Sequence, residues 1–347
     1  GNSDYGGDSS AVTEALNKGS NKVTKIFSNA RAFAALRSDG SVVTWGESWR
    51  GGDSSAVAAE LNNSSKKVTQ IFSTYYAFAA LRSDGSVVTW GDSRYGGDSR
   101  AVTAALNDSS NKVTQIFSNE YAFAALRSDG SVVTWGDSDY GGDSSAVTAA
   151  LNDNSNKVTQ IFSTGSAFAA LRSDGSVVTW GHSDFGGDSS GVAAALNISS
   201  NKVTQIFCSN QAFAALRSDG SVVTWGNTYA GGDSRAVTAA LNNSSNKVIQ
   251  IFSTGLAFAA LRSDGSVVTW GGSHWGGDSS GVDFDGPANN LKVVGFSKGN
   301  FEPNNLPTGT PTITGTLKAG STLSINAVTI KDSDNFTGYT PTYQYSW

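Results

Sequence analysis

The 347-residue chain is poor in the residues that most often form cross-links or metal sites. It has one cysteine, two histidines, five prolines and no methionine. Because Cys208 has no second cysteine, the chain cannot form an internal disulfide, and a structural zinc site lacks ligands. The two histidines, His182 and His274, stand in different repeats and form no convincing triad with any serine. The sequence therefore predicts no enzyme, no cofactor and no metal site.

Charge and hydrophobicity argue against two further classes of protein, those that bind nucleic acid and those that insert into a membrane. With 24 basic and 29 acidic residues the net charge is -5, and no basic stripe is present to bind nucleic acid. The apolar runs are much shorter than a membrane span, so no membrane insertion is predicted. Abundant Gly, Ser, Thr and Asn with little Lys is typical of a secreted bacterial protein. We expect an extracellular or cell-surface location.

One 15-residue stretch, residues 77–91, recurs six times unchanged. Its tryptophan stands at 45-residue intervals: Trp45, Trp90, Trp135, Trp180, Trp225 and Trp270. Two apolar runs flank Ser-Asp-Gly-Ser, where glycine supplies the positive φ of a tight turn, so the stretch predicts a β-hairpin.

The connecting sequence adds a short helix and a strand to each repeat. Val57 and Leu61 are four residues apart and predict one face of a short helix over 56–61. Residues 67–72 predict a strand, with Val68, Gln70 and Phe72 on one face. Three strands alone cannot bury both faces, but stacked repeats can, which predicts an all-β propeller.

The pattern Ala-Leu-x-x-Asp-Gly-x-Val-x-x-Trp-Gly, followed by Gly-Gly, resembles the repeats of the regulator of chromosome condensation family, in its bacterial secreted or surface branch. The resemblance covers residues 1–297 and implies a seven-bladed propeller that binds protein. Two positions depart from the family: Ala77 stands where a histidine is common, and Gly-Gly-Asp-Ser replaces Gly-Gln-Leu-Gly. The loops of the family's nucleotide exchange factor have no match, so that activity is not expected.

The sequence holds six complete repeats and part of another. A further connecting segment starts at Gly271, and residues 292–297 echo the first strand of a repeat, but no hairpin follows. Gly1 stands in mid-repeat, so we interpret the chain as part of a longer protein whose ring closes with an N-terminal hairpin. This predicts a propeller domain over residues 1–297.

The remaining residues differ in composition. Residues 298–311 contain three prolines and predict a linker. Residues 312–347 carry strand-like runs and resemble part of a bacterial immunoglobulin-like module. Asp332 and Asp334 there fit either a turn or a calcium site.

Several residues that recur in the repeats are candidates for catalysis, calcium binding or ligand binding. The turn residues Arg82 to Asp84 occur in six identical copies, which favours hairpin chemistry over catalysis. Asp53 and its equivalents supply too few oxygens for calcium, so capping is predicted. The repeated tryptophan is predicted to pack in the core rather than form a ligand cage.

Two windows vary between repeats, whereas the rest is nearly constant. The first window is the pair before Gly-Gly, and the second window is the pair before Ala-Phe-Ala-Ala-Leu. Three antiparallel strands per repeat place both windows at one end of every sheet and the constant turn at the other. From these windows we predict the binding residues Tyr5, Arg31, Trp49, Arg50, Tyr75, Tyr76, Arg94, Tyr95, Glu120, Tyr121, Asp139, Tyr140, Asp184, Phe185, Gln211, Tyr229, His274 and Trp275.

The residue types in these windows favour recognition. Trp, Tyr and Arg, which the windows contain, are enriched at binding hot spots. The loop 107–111 and its copies serve as a comparison, because they are also expected to be exposed but exchange mostly small polar residues. We predict a non-enzymatic adhesion or recognition module with a protein partner. Two alternatives are a glycan-binding, lectin-like face and a passive spacer that self-assembles in a surface layer.

Overall fold

The computed structural model describes residues 2, 5–17, 20–281, 312–314 and 324–326. The chain divides into two compact parts, Gly1–Gly295 and Phe296–Trp347. In the second part, β19 (Thr312–Thr314) pairs antiparallel with β20 (Ser324–Asn326). The predicted linker, most of the immunoglobulin-like segment, the strand at 292–297 and the Asp332/Asp334 site lie outside the described residues.

The described residues of the first part form six three-stranded antiparallel sheets, one per repeat, and we number the repeats 1 to 6. The strands are β1 (Val23–Ser28), β2 (Ala32–Arg37), β3 (Val42–Gly46), β4 (Val68–Ser73), β5 (Ala77–Arg82), β6 (Val87–Gly91), β7 (Val113–Ser118), β8 (Ala122–Arg127), β9 (Val132–Gly136), β10 (Val158–Ser163), β11 (Ala167–Arg172), β12 (Val177–Gly181), β13 (Val203–Cys208), β14 (Ala212–Arg217), β15 (Val222–Gly226), β16 (Val248–Ser253), β17 (Ala257–Arg262) and β18 (Val267–Gly271). The predicted all-β, three-strand repeat is confirmed.

Short helical turns lie in the connectors. The α-helical turns are α1 (Thr13–Asn17), α2 (Ala58–Leu61), α3 (Thr103–Leu106), α4 (Thr148–Leu151), α5 (Ala193–Leu196) and α6 (Thr238–Leu241), each preceded by a 3₁₀ turn such as Ser55–Val57. Another 3₁₀ turn carries the first window, at Ser48–Arg50, Ser93–Tyr95, Ser138–Tyr140, Ser183–Phe185, Thr228–Ala230 and Ser273–Trp275. Asp53 Oδ1 accepts the Ser55 N–H at 2.8 Å, so Asp53 has the predicted structural role, although it stands one residue before the N-cap, Ser54.

The hairpin turn forms as the sequence predicts. The Gly85 N–H donates to Arg82 O at 2.9 Å, and Gly85 has a φ of +83°. Asp84 Oδ1 accepts the Ser86 N–H at 3.1 Å and the Ser86 hydroxyl. Asp and Gly here shape the turn, which confirms the structural reading.

One prediction about side-chain direction is wrong. In every repeat the first strand carries a β-bulge: in repeat 2, Val68 pairs with Arg82 and Gln70 pairs with Leu81, which leaves Thr69 unpaired. The extra residue shifts the alternation, so Val68 and Ile71 share one face. The predicted grouping of Val68 with Gln70 and Phe72 assumed an unbroken strand.

Consecutive sheets pack by the same two faces each time. The tryptophan face of a sheet, which in repeat 2 comprises Val68, Ile71, Phe78 and Trp90, is joined by Leu61 of the connector. It packs on the alanine face of the preceding sheet, which in repeat 1 comprises Phe27, Ala32, Ala34, Leu36 and Val42. Four equivalent clusters join the other neighbours. Burying each large side chain contributes roughly 1.5–3 kcal/mol, so the repeats stabilise one another.

Three hydrogen bonds accompany each of these five interfaces. Between repeats 1 and 2, the Val68 N–H donates to Gly40 O, the Val42 N–H to Asn62 Oδ1 and the Ala30 N–H to Tyr75 O, at 3.1 to 3.2 Å. All three recur at the other four interfaces. They satisfy backbone groups at both ends of the sheet, so each repeat is held in one register.

The repeated tryptophan belongs to the core. The Trp90 indole N–H donates to Gly51 O at 3.1 Å, and its ring stacks on Phe78 at 5.2 Å. Gly51 has a φ of +102°, and a Cβ there would lie 2.6 Å from Phe78 Cδ2. The predicted core role is confirmed in repeats 2 to 6, while Trp45 of repeat 1 makes the same hydrogen bond but is only partly buried.

Two glycines at equivalent positions, Gly96 and Gly276, distinguish the cost of backbone strain from the cost of a packing clash. Gly96 and Gly276 have φ values of +90° and +94°, but a Cβ at Gly96 would lie 2.6 Å from Phe123 Cδ2, whereas no atom of the described residues lies within 4 Å of one at Gly276. We expect Gly276→Ala to cost about 1–2 kcal/mol of unfolding free energy, and Gly96→Ala to cost about 1–3 kcal/mol more. Urea unfolding of both variants measures the difference, and equal losses would contradict this packing.

The turn aspartates predict a loss of stability in acid. The Ser41 hydroxyl hydrogen bond lowers the pKa of Asp39, and the Arg235 hydrogen bond lowers the pKa of Asp233 to about 2. Because these carboxyls have lower pKa values when folded, their contribution is complete above the ordinary value of about 4 and lost as the pH falls toward 2. Melting temperatures at pH 6, 4 and 3 should fall in that order. A constant melting temperature would contradict this linkage.

Candidate interaction surface

The two windows of each repeat lie side by side. A side chain at the start of each second-window loop donates to a first-window carbonyl: Asn29 Nδ2 to Arg50 O at 2.8 Å and Thr74 Oγ1 to Tyr95 O at 2.8 Å. The same bond recurs in repeats 3 to 6 at 2.7 to 3.0 Å. The prediction that both windows share one end of the sheets is therefore correct. We call this surface the rim.

An aromatic ladder runs along the rim from repeat 2 to the connector after repeat 4. Neighbouring ring centroids lie 4.2 to 5.5 Å apart, within the range of aromatic pairs. The ladder consists of Tyr76, Tyr95, Tyr121, Tyr140, His182 and Phe185. Tyr75 contacts the edge of Tyr76. Because repeat 4 has Gly165 and Ser166 in its second window, nothing separates Tyr140 from His182.

Arginines extend the ladder toward repeat 1. The Arg50 guanidinium lies 3.6 Å from the Tyr76 ring centroid and 4.1 Å from that of Trp49. Arg31 lies 3.9 Å from the Tyr5 centroid. Glu47 contacts both arginines, at 3.4 to 3.5 Å. These cation–π pairs hold the arginines in place rather than leaving them free to extend into solvent.

A third variable position, just after the Trp-Gly of each repeat, was missed by the sequence reasoning. It holds Glu47, Asp92, Asp137, His182, Asn227 and Gly272. Four of these side chains cap the first-window turn; for example, Asp92 Oδ1 accepts the Arg94 N–H at 3.0 Å, and Asp92 also pairs with the Arg94 guanidinium at 2.8 Å. Comparing the repeats at this position would have found it.

The far end of the rim exposes two large aromatic side chains. Tyr229 is 57% exposed and Trp275 is 50% exposed. Both lie next to Gly272, where a Cβ would be 3.2 Å from Trp275 Cδ1 and 3.4 Å from Tyr229 Cε1. Trp49, at the other end, is 51% exposed. These three rings keep about half of their surface exposed, although Arg50 lies over one face of Trp49, whereas the ladder rings cover one another.

The other predicted residues lie on the rim without aromatic partners. Asp139, Asp184, Glu120 and His274 are exposed, and Gln211 is half-buried. No salt bridge to the three acidic side chains occurs within the described part of the chain. Crowding by adjacent loops removes water from the Glu120 carboxyl and raises its pKa, although the side chain keeps an exposed fraction. Repeats 3 and 4 therefore present unpaired acidic groups.

The described residues contain no group of three or more His, Cys, Asp or Glu side chains arranged to hold a metal ion. Within the same residues, no helix has the length and apolar character needed to cross a membrane.

Comparison with known proteins identifies the repeat type. The family model of the Regulator of chromosome condensation (RCC1) repeat matches residues 68–96 and 113–141. Each matched segment starts at the first strand of a sheet and ends at the glycine that follows the first window of the same repeat, so the match supports repeats of this type in repeats 2 and 3. No curated protein matches the chain.

Several solved structures are similar at low sequence identity. Yeast RCC1 (Prp20), solved with bound Kap60, is 18% identical with a TM-score of 0.44, covering 72% of this chain and 70% of that one. Human WBSCR16 is 16% identical with a TM-score of 0.43, covering 74% and 77%. The ectodomain of the Arabidopsis thaliana receptor kinase ACR4 is 15% identical with a TM-score of 0.38, covering 74% and 82%. TM-scores of this size carry no conclusion about function.

The ladder predicts a delayed tyrosine titration. Partial burial raises the pKa of Tyr95, and burial together with the Glu120 charge raises that of Tyr121. Because burial disfavours the phenolate, part of the absorbance change at 295 nm should occur above the ordinary value of about 10. Tyr121→Phe should remove some of this late phase. A single phase at the ordinary value would contradict the ladder.

Proposed function

We propose that the chain is a non-enzymatic recognition module that binds a protein partner through its rim. The observation that supports this proposal is the continuous surface formed by the two variable windows, the ladder and its arginines. Six neighbouring repeats present different side chains along this surface, so its chemistry changes from one end to the other. An asymmetric macromolecule matches such a surface better than a repetitive ligand does. We place this activity outside the cell, as the composition predicts.

The charge distribution favours a partner with basic side chains opposite repeats 3 and 4. Arg31, Arg50 and Arg94 are already paired with Glu47 or Asp92. In contrast, the exposed carboxylates near the ladder have no cationic neighbour in the described residues. Complementary charge accelerates association and selects among partners, and salt screens it. Binding should therefore weaken as the salt concentration rises.

The exposed aromatic rings are the expected hot spots. A half-exposed Trp or Tyr can still bury a large apolar area in a complex, whereas a ladder ring has already buried much of its surface. Trp275 and Tyr229 at one end and Trp49 at the other are therefore expected to contribute more to affinity than Tyr121 or Tyr140.

A binding measurement with a matched control tests the proposal. The wild-type chain recovers partners from the extracellular fraction of its native source, and the affinity of the identified protein is then measured. We expect Trp275→Ala and Tyr229→Ala each to raise Kd at least tenfold, about 1.4 kcal/mol. Ile249→Ala is the control, because Ile249 is 56% exposed but lies on a strand away from the rim. Equal affinity of all variants would contradict binding through the rim.

Glycan binding is the second candidate, and the half-exposed rings of Trp49 and Trp275 favour it. Saturable binding on a glycan array that is lost in Trp49→Ala and Trp275→Ala would support it over a protein partner. Recovery of the chain alone from its native source would support the passive spacer instead.

A further inference from the structure

At one place on the rim two half-exposed rings lie side by side over a glycine. Gly272 stands at the third variable position, which carries a side chain after each of repeats 1 to 5. A Cβ at Gly272 would lie 3.2 Å from Trp275 Cδ1 and 3.4 Å from Tyr229 Cε1. The two rings therefore border the space that a side chain fills in the other repeats. We call this space, between Trp275 and Tyr229 above Gly272, the slot.

The Trp275 indole extends from the slot to the second window of repeat 6. A Cβ at Gly255 would lie 3.6 Å from Trp275 Cζ3 and 3.3 Å from Asn210 Nδ2. Because Cδ1 and Cζ3 stand at opposite ends of the indole, the ring lies across Gly272 and Gly255. It thereby joins the Tyr229 ring at one end to the Asn210 amide at the other. These three side chains form one continuous surface.

This surface carries hydrogen-bond donors that have no acceptor in the described residues. Tyr229 and Trp275 form hydrogen bonds there only through their backbones, and so does Asn210. The core tryptophans differ, since the Trp90 indole N–H donates to Gly51 O. An indole N–H donates and cannot accept, whereas the phenol and the amide can also donate. A ligand of this surface must therefore supply acceptors.

An unpaired carboxylate borders the same surface on the side of repeat 3. Glu120 Oε1 and the Asn210 carbonyl oxygen each lie 3.2 Å from the position that a Gly165 Cβ would take. Among the described residues no cation lies within salt-bridge distance of Glu120. Complementary charge selects among partners, so a ligand with a cation at this end is favoured.

We propose that the slot binds a proline-rich segment of the protein partner, with a Lys or Arg of that segment beside Glu120. This deepens the proposed function and rests on it. A polyproline II segment has no internal hydrogen bonds, so its carbonyls can accept from Trp275, Tyr229 and Asn210. Its pyrrolidine rings pack against aromatic side chains, as in other grooves that bind such segments. The segment is already extended, so little conformational entropy is lost on binding.

The same contacts favour a proline-rich segment over a glycan. A sugar ring could also stack on Trp275 and accept hydrogen bonds there, but a neutral sugar offers no cation to Glu120. A basic residue next to the prolines satisfies the carboxylate and the donors together. Trp49, which is exposed to the same extent as Trp275, has no equivalent slot: Glu47 fills the third variable position, and Arg50 lies over the indole. Trp49 is therefore the matched comparison.

Fluorescence anisotropy of a labelled peptide tests the slot in the full chain. The probe is a decamer of nine prolines and one lysine, made with the lysine at either end, because these contacts do not set the direction of the segment. We expect saturable binding that Trp275→Ala weakens at least tenfold. Trp49→Ala should leave it unchanged. A decamer of alternating Gly and Ser with the same lysine should not bind.

A second variant fills the slot without removing either ring. Gly272 has an ordinary φ of -63°, so Gly272→Asp introduces no backbone strain and restores the aspartate found at Asp92 and Asp137. It should cap the turn as Asp92 does, keep the melting temperature and weaken decamer binding at least tenfold. Decamer binding that Gly272→Asp leaves unchanged would overturn the proposal.

A third variant tests the charge contact. Glu120→Gln should weaken binding of the tighter lysine decamer severalfold and remove its preference over the decamer with lysine at the other end. The same decamer with acetylated lysine should bind wild type and Glu120→Gln equally. An equal affinity of wild type and Glu120→Gln for the lysine decamer would overturn the placement of the basic residue.

Competition separates this inference from the proposed function. The decamer should displace the partner recovered from the native source, and the loss of displacement in Gly272→Asp would support the proposal. A partner that binds the rim while the decamer neither binds nor displaces it would overturn the inference and leave the proposed function standing. Equal weakening of decamer binding by Trp49→Ala and Trp275→Ala would also overturn it. So would a glycan that binds the slot in place of the decamer.

Discussion

The contact between an alanine face and a tryptophan face determines the rest of this structure. One sheet contributes large aromatic side chains, including Phe78 and Trp90, while the centre of the opposing sheet contributes small ones such as Ala32 and Ala34. The small side chains let two sheets approach closely, and the indole N–H bond to Gly51 O fixes how deeply the connector lies between them. Five interfaces repeat this contact, so a larger residue at one of the alanine positions would disrupt the interface in which it stands.

The rim follows from that constraint. Each second-window loop is bonded to the next by its backbone and to the first window of its own repeat by a side chain. Loops held at a fixed spacing bring large side chains of neighbouring repeats into contact, so Tyr121 and Tyr140 stack at 4.2 Å. Repeat 4 has the small residues Gly165 and Ser166 in its second window, so Tyr140 stacks directly on His182. The composition of the windows therefore decides how far the ladder extends, whereas the interfaces decide where it lies.

The hairpin, the connector turn and the common end of both windows could be predicted from sequence, because each depends on local rules: glycine at positive φ, aspartate as a cap and alternation along strands. The bulge at Thr69 could not, since one unpaired residue in a strand leaves no compositional signal. The stacking order of Tyr95, Tyr121 and Tyr140 could not be predicted either, because it depends on distances between repeats. The sequence marks His182 only as a candidate catalytic residue. Its contribution as a turn cap and as a ring of the ladder depends on the positions of the neighbouring loops.

The same geometry separates two kinds of surface. The rim consists of side chains at the ends of the strands, and these positions vary between repeats because no interface includes the exposed ones. The interfaces consist of side chains along the strands, and these are nearly identical because every repeat must fit its neighbour. A substitution such as Tyr229→Ala removes rim area without touching an interface residue, and one at Ile71 alters an interface without reaching the rim. Changes on the rim and changes along the interfaces are thus chemically independent, even though both surfaces depend on one 45-residue unit.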